Sequence, residues 1–265
     1  MWIKEGYSIR QIAKISGHNY KKIQRIKEYW LKQEVKEQYI EYSKIRYILF
    51  DGTYFNKTKC LIVFMDALTG EIISSKYVRK ENYNDVRALA EELKNKGLKP
   101  KSVTLDGLQL VIKAIKDTWE GIIVQRCLYH IYRQGTMWLR FKPKKEISIK
   151  LKTIYNSIKY IHNQMEANKF FETYDNFIKE NLERINRLDN KNKVEQDIVR
   201  AISLIRHARQ DMFHYLEDRN IPETTNKLEG FFSKLKQKYR SHAGLSKDNR
   251  KSYLYWFCFY ENESN

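Results

Sequence analysis

Residues 47–78 read YILFDGTYFNKTKCLIVFMDALTGEIISSKYV. Three strand-length apolar runs stand out in them, at 47–50, 60–65 and 72–78, with turn-forming residues between. The links Asn56-Lys-Thr58 and Leu68-Thr-Gly70 are short enough for an antiparallel meander. Downstream the period lengthens. Residues 84–96 fit a helix with Val86, Leu89, Ala90 and Leu93 on one side. Residues 102–105 fit a strand, 108–115 a helix and 121–125 another strand. Crossovers through those helices make the later strands parallel to the first.

Three strands, then helix-strand-helix-strand, is the element order of a ribonuclease-H-like sheet. The fold expected is therefore α/β, a mixed five-stranded sheet with flanking helices. Breakers are rare in the second half, with no glycine between Gly135 and Gly230, and residues 128–220 read as long polar helices. Pro222 closes that section, and a final helix is expected from about Thr224. Ahead of the sheet, Ser8-Ile-Arg-Gln11 is a capping-box pattern opening a helix with Ile9, Ile12 and Ile15 on its apolar stripe. Gly17 stops that helix, and Asn19 caps a second with Ile23, Ile26 and Trp30 on its buried face. The segments expected are 1–46, a helix-turn-helix; 47–130, the first part of the core; 131–222, a helical insertion; and 223–265, the rest of the core.

Charge narrows the partner. Among 265 residues, 50 Lys and Arg against 32 Asp and Glu give +18, which points to a polyanion, with nucleic acid the default. The excess is spread: residues 1–46, 131–222 and 230–251 each carry +6, whereas 47–130 carry +3. Cys60, Cys127 and Cys258 form no Cys-x-x-Cys pair, which argues against a disulfide framework or a zinc ribbon. The opening Met-Trp-Ile-Lys-Glu-Gly lacks a signal-peptide core, and the apolar run at 253–260 is far short of the ~20 residues that span a bilayer. The expectation is a soluble intracellular protein with no membrane contact.

Carboxylates at the ends of buried strands call for a reason. Asp51 follows Tyr-Ile-Leu-Phe, Asp106 follows Ser-Val-Thr-Leu, and each precedes a glycine. In the expected strand order the two would face each other across about 5 Å, two hard-oxygen ligands of an Mg²⁺ site that needs a third. Asp-Gly between apolar runs is also a strong hairpin signal. Against the hairpin, Asp106-Gly107 leads into a helix and Asp51-Gly52 into more strand. Glu229, in the first turn of the final helix, is the candidate third acid. It shares a polar face with Ser233 and Lys236 opposite Leu228, Phe232 and Leu235. With Asn226 as cap it also fits the N3 position of a capping box.

The motifs Asp51-Gly52, Leu105-Asp106-Gly107, Gln125-Arg-Cys-Leu-Tyr-His130 and Thr225-Asn226-x-x-Glu229-Gly230 resemble, in order, those of bacterial Mutator-like transposases. The tail, His242-Ala-Gly-Leu-Ser246 and Tyr253-Leu-Tyr-Trp256, is similar as well. The resemblance implies a ribonuclease-H-like core carrying an Asp-Asp-Glu triad at Asp51, Asp106 and Glu229, interrupted by an all-helical insertion. Two Mg²⁺ (or Mn²⁺) ions about 3.5–4 Å apart would be held there. Cys127 and His130 match a Cys-x-x-His motif beside the catalytic acids, where His130 would orient the scissile phosphate or a base. As half a zinc site the pair lacks a partner, and a buried Cys with a capping His is the ordinary alternative.

The implied activity is cutting transposon ends and joining 3′ ends to target DNA, on double-stranded inverted repeats, as a homodimer or higher oligomer. Tyr20, Lys21, Lys22 and Arg25 would project from the second helix into a major groove, and Lys234 and Lys236 would touch phosphates. The usual first helix of a trihelical unit is nearly absent, so the chain reads as an N-terminally shortened copy. The rivals are a non-catalytic DNA-binding derivative and a nuclease acting on RNA–DNA hybrids. The ninety-residue insertion argues against the latter. His207, Asp211 and His214 read as a solvated stripe on one helix, and Asp66 as a turn residue.

Overall fold

The computed structural model describes residues 4–36, 38–55, 58–189, 191–242 and 245–263. The opening tripeptide, two residues of the Asn56-Lys-Thr58 link, and Ala243 and Gly244 of the tail motif lie outside them. Five strands form one mixed sheet in the order β3-β2-β1-β4-β5: β1 (Tyr47–Phe55), β2 (Lys59–Asp66), β3 (Ile72–Val78), β4 (Ser102–Leu105) and β5 (Ile123–Arg126). The helices are α1 (Ile9–Ser16), α2 (Tyr20–Lys32), α3 (Tyr83–Asn95), α4 (Gln109–Thr118), α5 (Leu128–Leu139) and α6 (Glu146–Ser157). After them come α7 (Gln164–Glu180), α8 (Leu182–Asn186), α9 (Lys193–Ala208), α10 (Asn226–Arg240) and α11 (Lys247–Asn262). None is long and apolar enough to cross a membrane among the described residues. The chain divides into two compact units.

The first unit comprises Met1–Lys101, Lys113–Glu120 and Asn226–Asn265. Its antiparallel meander registers Asp51 against Val63 and Gly52 against Ile62. Residues alternate between sheet faces, and here the faces bury different partners. Leu49, Phe55, Leu61, Val63 and Met65 pack under Leu228, Phe231, Phe232 and Leu235 of α10 and Tyr253, Leu254 and Phe257 of α11. On the other face Phe50 meets Phe64, and Phe64 meets the edge of Trp119. Trp119 is fixed by donating Nε1–H to Leu98 O at 3.1 Å. Asp66 Oδ1 accepts from the Leu68 amide, the local turn expected of it.

Four local expectations are corrected. Asp51 lies mid-strand, because β1 continues through Gly52 to Phe55. In α2, Ile26 and Trp30 are 44% and 48% exposed, while Ile23 and Leu31 are buried. The buried face runs i, i+4, i+8 through half-buried Lys27, and Trp30 instead meets Trp256 edge-on. Ile15 of α1 is likewise exposed. Finally, α10 starts at Asn226, which makes Thr225 rather than Asn226 the residue before its first turn.

The second unit comprises Ser102–Ile112 and Gly121–Thr225. Strands β4 and β5 pair in parallel, Ser102 against Ile123 through Leu105 against Arg126. The polar helices bury tyrosines whose hydroxyls end on backbone carbonyls. Tyr155 donates to Ala201 O at 2.6 Å and Tyr174 to Ile202 O at 2.8 Å. That satisfies a polar tip which burial would otherwise strand. Gln125 of β5 is fully buried and binds Met212 O through Nε2 and the Tyr215 amide through Oε1. His207, Asp211 and His214 do not share one helix: α9 ends at Ala208, and two 3₁₀ turns, Arg209–Asp211 and His214–Leu216, follow.

Candidate active site

Asp51 has the parity of Leu49 and Phe55, so it projects from the sheet face that α10 covers. Its Oδ1 accepts from the Gly52 amide at 2.7 Å. Glu229 stands half-buried in the first turn of α10, one residue from buried Leu228 and three from buried Phe232. Within the first unit, then, two of the three predicted acids lie on the same side of the sheet. Gly52 projects to the opposite side, where an added Cβ would sit 2.2 Å from Glu81 Oε1 and 2.9 Å from Cys60 Sγ. The Cys60 thiol donates to Glu81 Oε1 at 3.7 Å. Burial, then the Glu81 and Asp51 carboxylates, push that thiol well above its ordinary range, so it stays protonated. Glu81 is a carboxylate the sequence reading missed. Its trace there is the glycine that makes room for it.

In the second unit Asp106 follows β4 directly and is exposed, its Oδ1 accepting from the Gly107 amide at 2.5 Å. Over Gly107 lies the guanidinium of Arg126: an added Cβ would come within 1.7 Å of Nη2 and 2.1 Å of Cζ. Arg126 is only 4% exposed. Burial lowers its pKa, and the carboxylates of Asp106 and Asp211 oppose that shift. Arg126 is a second residue the sequence reading left without a role. An arginine inside a buried four-residue strand was the available signal.

Cys127 is fully buried, and its Sγ accepts from both the amide and the hydroxyl of Thr225, at 3.4 and 3.5 Å. His130 stands in the first turn of α5, its ring edge-on to Tyr129. Tyr20, Lys21, Lys22 and Arg25 are all exposed on α2. Lys234 forms an ion pair with Glu261 at 2.6 Å, whereas Lys236 is half-buried and its charge reaches Cys60.

Three carboxylates make a hard-oxygen donor set, the chemistry a divalent magnesium or manganese ion takes. Among the described residues, however, no group of three His, Cys, Asp or Glu side chains is gathered closely enough to hold a metal ion.

Residues 61–249 match the model of a family described as "Transposase, Mutator family". That span holds Asp106, Cys127, His130 and Glu229 and begins ten residues after Asp51. A protein of Corynebacterium diphtheriae named "Probable transposase for insertion sequence element" is 27% identical over 71 residues. The aligned stretch covers 26% of this chain and 21% of that protein, so the chain spans about a fifth of that relative's length. The family match runs from β2 through the helical segment and α10 into the start of α11, well over half of the chain, and on that extent the chain belongs to the Mutator family of transposases.

Proposed function

We propose that this chain is a DNA transposase that cuts transposon ends and joins the freed 3′ ends to target DNA, with Asp51, Asp106 and Glu229 as its catalytic acids. The observation that carries the assignment is the common sheet face of Asp51 and Glu229, two acids 178 residues apart in the chain. The core is ribonuclease-H-like on this reading, with residues 131–222 as its helical insertion. Asp106 joins the pair from the end of β4.

Two Mg²⁺ or Mn²⁺ ions bound by these acids would supply Lewis-acid stabilisation of the attacking and leaving oxygens. The protein's own groups do the rest. The backbone amides of Gly52 and Gly107 orient the two aspartates. His130 orients the scissile phosphate or a neighbouring base. Helices α1 and α2 act as a helix-turn-helix, offering Tyr20, Lys21, Lys22 and Arg25 to the major groove. Lys236, and Lys234 once it leaves Glu261, neutralise phosphates. The protein works as a homodimer or higher oligomer on inverted-repeat ends, in the bacterial cytoplasm at the nucleoid.

The test is Asp51→Asn. Asn keeps the shape of Asp and removes the charge. Nicking of an end-bearing duplex and of generic supercoiled DNA with Mn²⁺ should be lost, while DNA affinity stays within about twofold, since one acid hardly alters +18. Cutting by Asp51→Asn at the parent's rate would overturn the assignment. A parent that binds DNA tightly and never cuts under either metal would replace it with the non-catalytic reading.

A further inference from the structure

Residues 222–225, the stretch that leads into α10, are tied by hydrogen bonds to the ends of β4 and β5. Thr104 Oγ1 donates to Pro222 O at 2.7 Å, and the Leu128 amide donates to Glu223 O at 2.9 Å. The last residue, Thr225, is fully buried and points both its donors at one acceptor, the sulfur of Cys127. Cys127 is itself fully buried and immediately follows β5. Neither residue reaches solvent, so neither touches DNA.

A thiol sulfur is a large, weak acceptor. Two donors from one residue converging on it fix both the backbone and the χ1 of that residue at once. The next residue in the chain is the first of α10, and Glu229 stands four positions after Thr225. An α-helix is stiff over one turn, so the conformation of Thr225 sets where α10 starts and how its first turn is rotated.

We infer that Cys127 is a positioning residue: its sulfur clasps Thr225 and thereby fixes the start of α10 that carries Glu229. Its catalytic consequence rests on the reading of Glu229 as the third acid; the clasp itself does not. The Cys of Cys127-x-x-His130 then serves the acid on a later helix, while the His serves the substrate. The thiol is suited to the task because it accepts from two donors without bringing a charge into the buried strand end.

The experiment combines amide hydrogen exchange with cleavage kinetics on the full chain. In Cys127→Ala the Thr225 amide and the first turn of α10 should exchange at least tenfold faster than in the parent, while amides of β2 and α9 are unchanged. Thr225→Val, which keeps shape and loses the hydroxyl, should show part of that increase. Cys127→Ser and Thr225→Ser, which keep an acceptor and a donor, should stay near the parent and also guard against loss of folding. The cleavage kcat should fall about tenfold in Cys127→Ala with KM for DNA within twofold. The double variant with Thr225→Val should be no slower than Cys127→Ala alone. Parent-like exchange at Thr225 in Cys127→Ala overturns the clasp, as does a double variant whose losses multiply. If the parent does not cut but Cys127→Ala loosens Thr225, the clasp stands and the transposase reading falls.

Discussion

Gly135 in α5 is the sharpest test of how tightly the helices of the second unit pack. A Cβ added there would lie 2.0, 2.2 and 2.5 Å from Cε1, Cζ and Cδ1 of Tyr155. Carbon atoms in contact sit about 3.5–4.0 Å apart, so the ring must move by roughly 1.5 Å. Tyr155 has nowhere to go, being fully buried in α6 with its hydroxyl anchored on Ala201 O of α9. Overpacking of this kind costs about 1–3 kcal/mol, and loss of the hydroxyl bond about 1 kcal/mol. Alanine returns about 1 kcal/mol of helix propensity. Gly135→Ala should therefore lose about 2 kcal/mol net, lowering the midpoint of thermal unfolding by roughly 8 °C for a unit of this size. Circular dichroism melts of parent and variant measure it, and Tyr155→Leu in the Gly135→Ala background should recover part of the loss by removing the ring edge. Helix propensity alone predicts the opposite sign. A Gly135→Ala melt at or above the parent's would refute the close approach.

Two further outcomes follow from charge and burial. Replacing Lys21, Lys22 and Arg25 together by Ala should reduce the salt dependence of DNA binding, each lost phosphate contact removing about 0.9 from the slope of log K against log salt; an unchanged slope in fluorescence anisotropy titrations would show that α2 does not face phosphate. Burial and the Glu223 carboxylate push the Tyr215 phenol up to about 12, so the folded protein keeps a proton that the unfolded chain sheds near pH 10. That stability is present below about pH 10 and is lost as pH rises toward 12. Tyr215→Phe should flatten the decline in urea stability between those values, and an equally steep decline would show that Tyr215 does not contribute to it.

The strands, their order and most helix positions were legible because each rests on a local period. The run at 60–65 has six consecutive apolar residues, and β2 buries all of them. Less legible were features set by residues distant in sequence. Trp30 was assigned inward from its spacing, yet the site it occupies is decided by Trp256, 226 residues later, whose Nε1 donates to Trp30 O. Of the candidate site, the aspartates were legible as charges at the ends of apolar runs. Arg126 and Glu81 were not, because the glycines they cross, Gly107 and Gly52, lie 19 and 29 residues away in sequence. Thr225 sat inside a quoted motif, but its partner Cys127 lies 98 residues earlier, and no spacing rule connects the two.

The two Asp-Gly pairs show why the hairpin reading had to fail and what replaces it. A two-residue type I′ hairpin turn requires positive φ at both central residues. Neither Asp51, Gly52, Asp106 nor Gly107 has it; among the described residues the positive-φ glycines are Gly6, Gly17, Gly70, Gly97 and Gly121. The glycines after the aspartates are needed for room rather than for backbone freedom. At Gly52 the missing Cβ admits the Glu81 carboxylate, and at Gly107 it admits the Arg126 guanidinium. Two identical dipeptides therefore sit in opposite local fields, one beside another acid and the other beside a buried cation. The Arg126 charge reaches Asp106, whereas Asp51 shares its surroundings with Glu81 through Cys60. Sequence alone makes the two aspartates look interchangeable. Their neighbours do not, since the Glu81 carboxylate lies under Gly52 on the sheet face opposite Asp51, whereas the Arg126 guanidinium lies over Gly107 and its charge reaches Asp106.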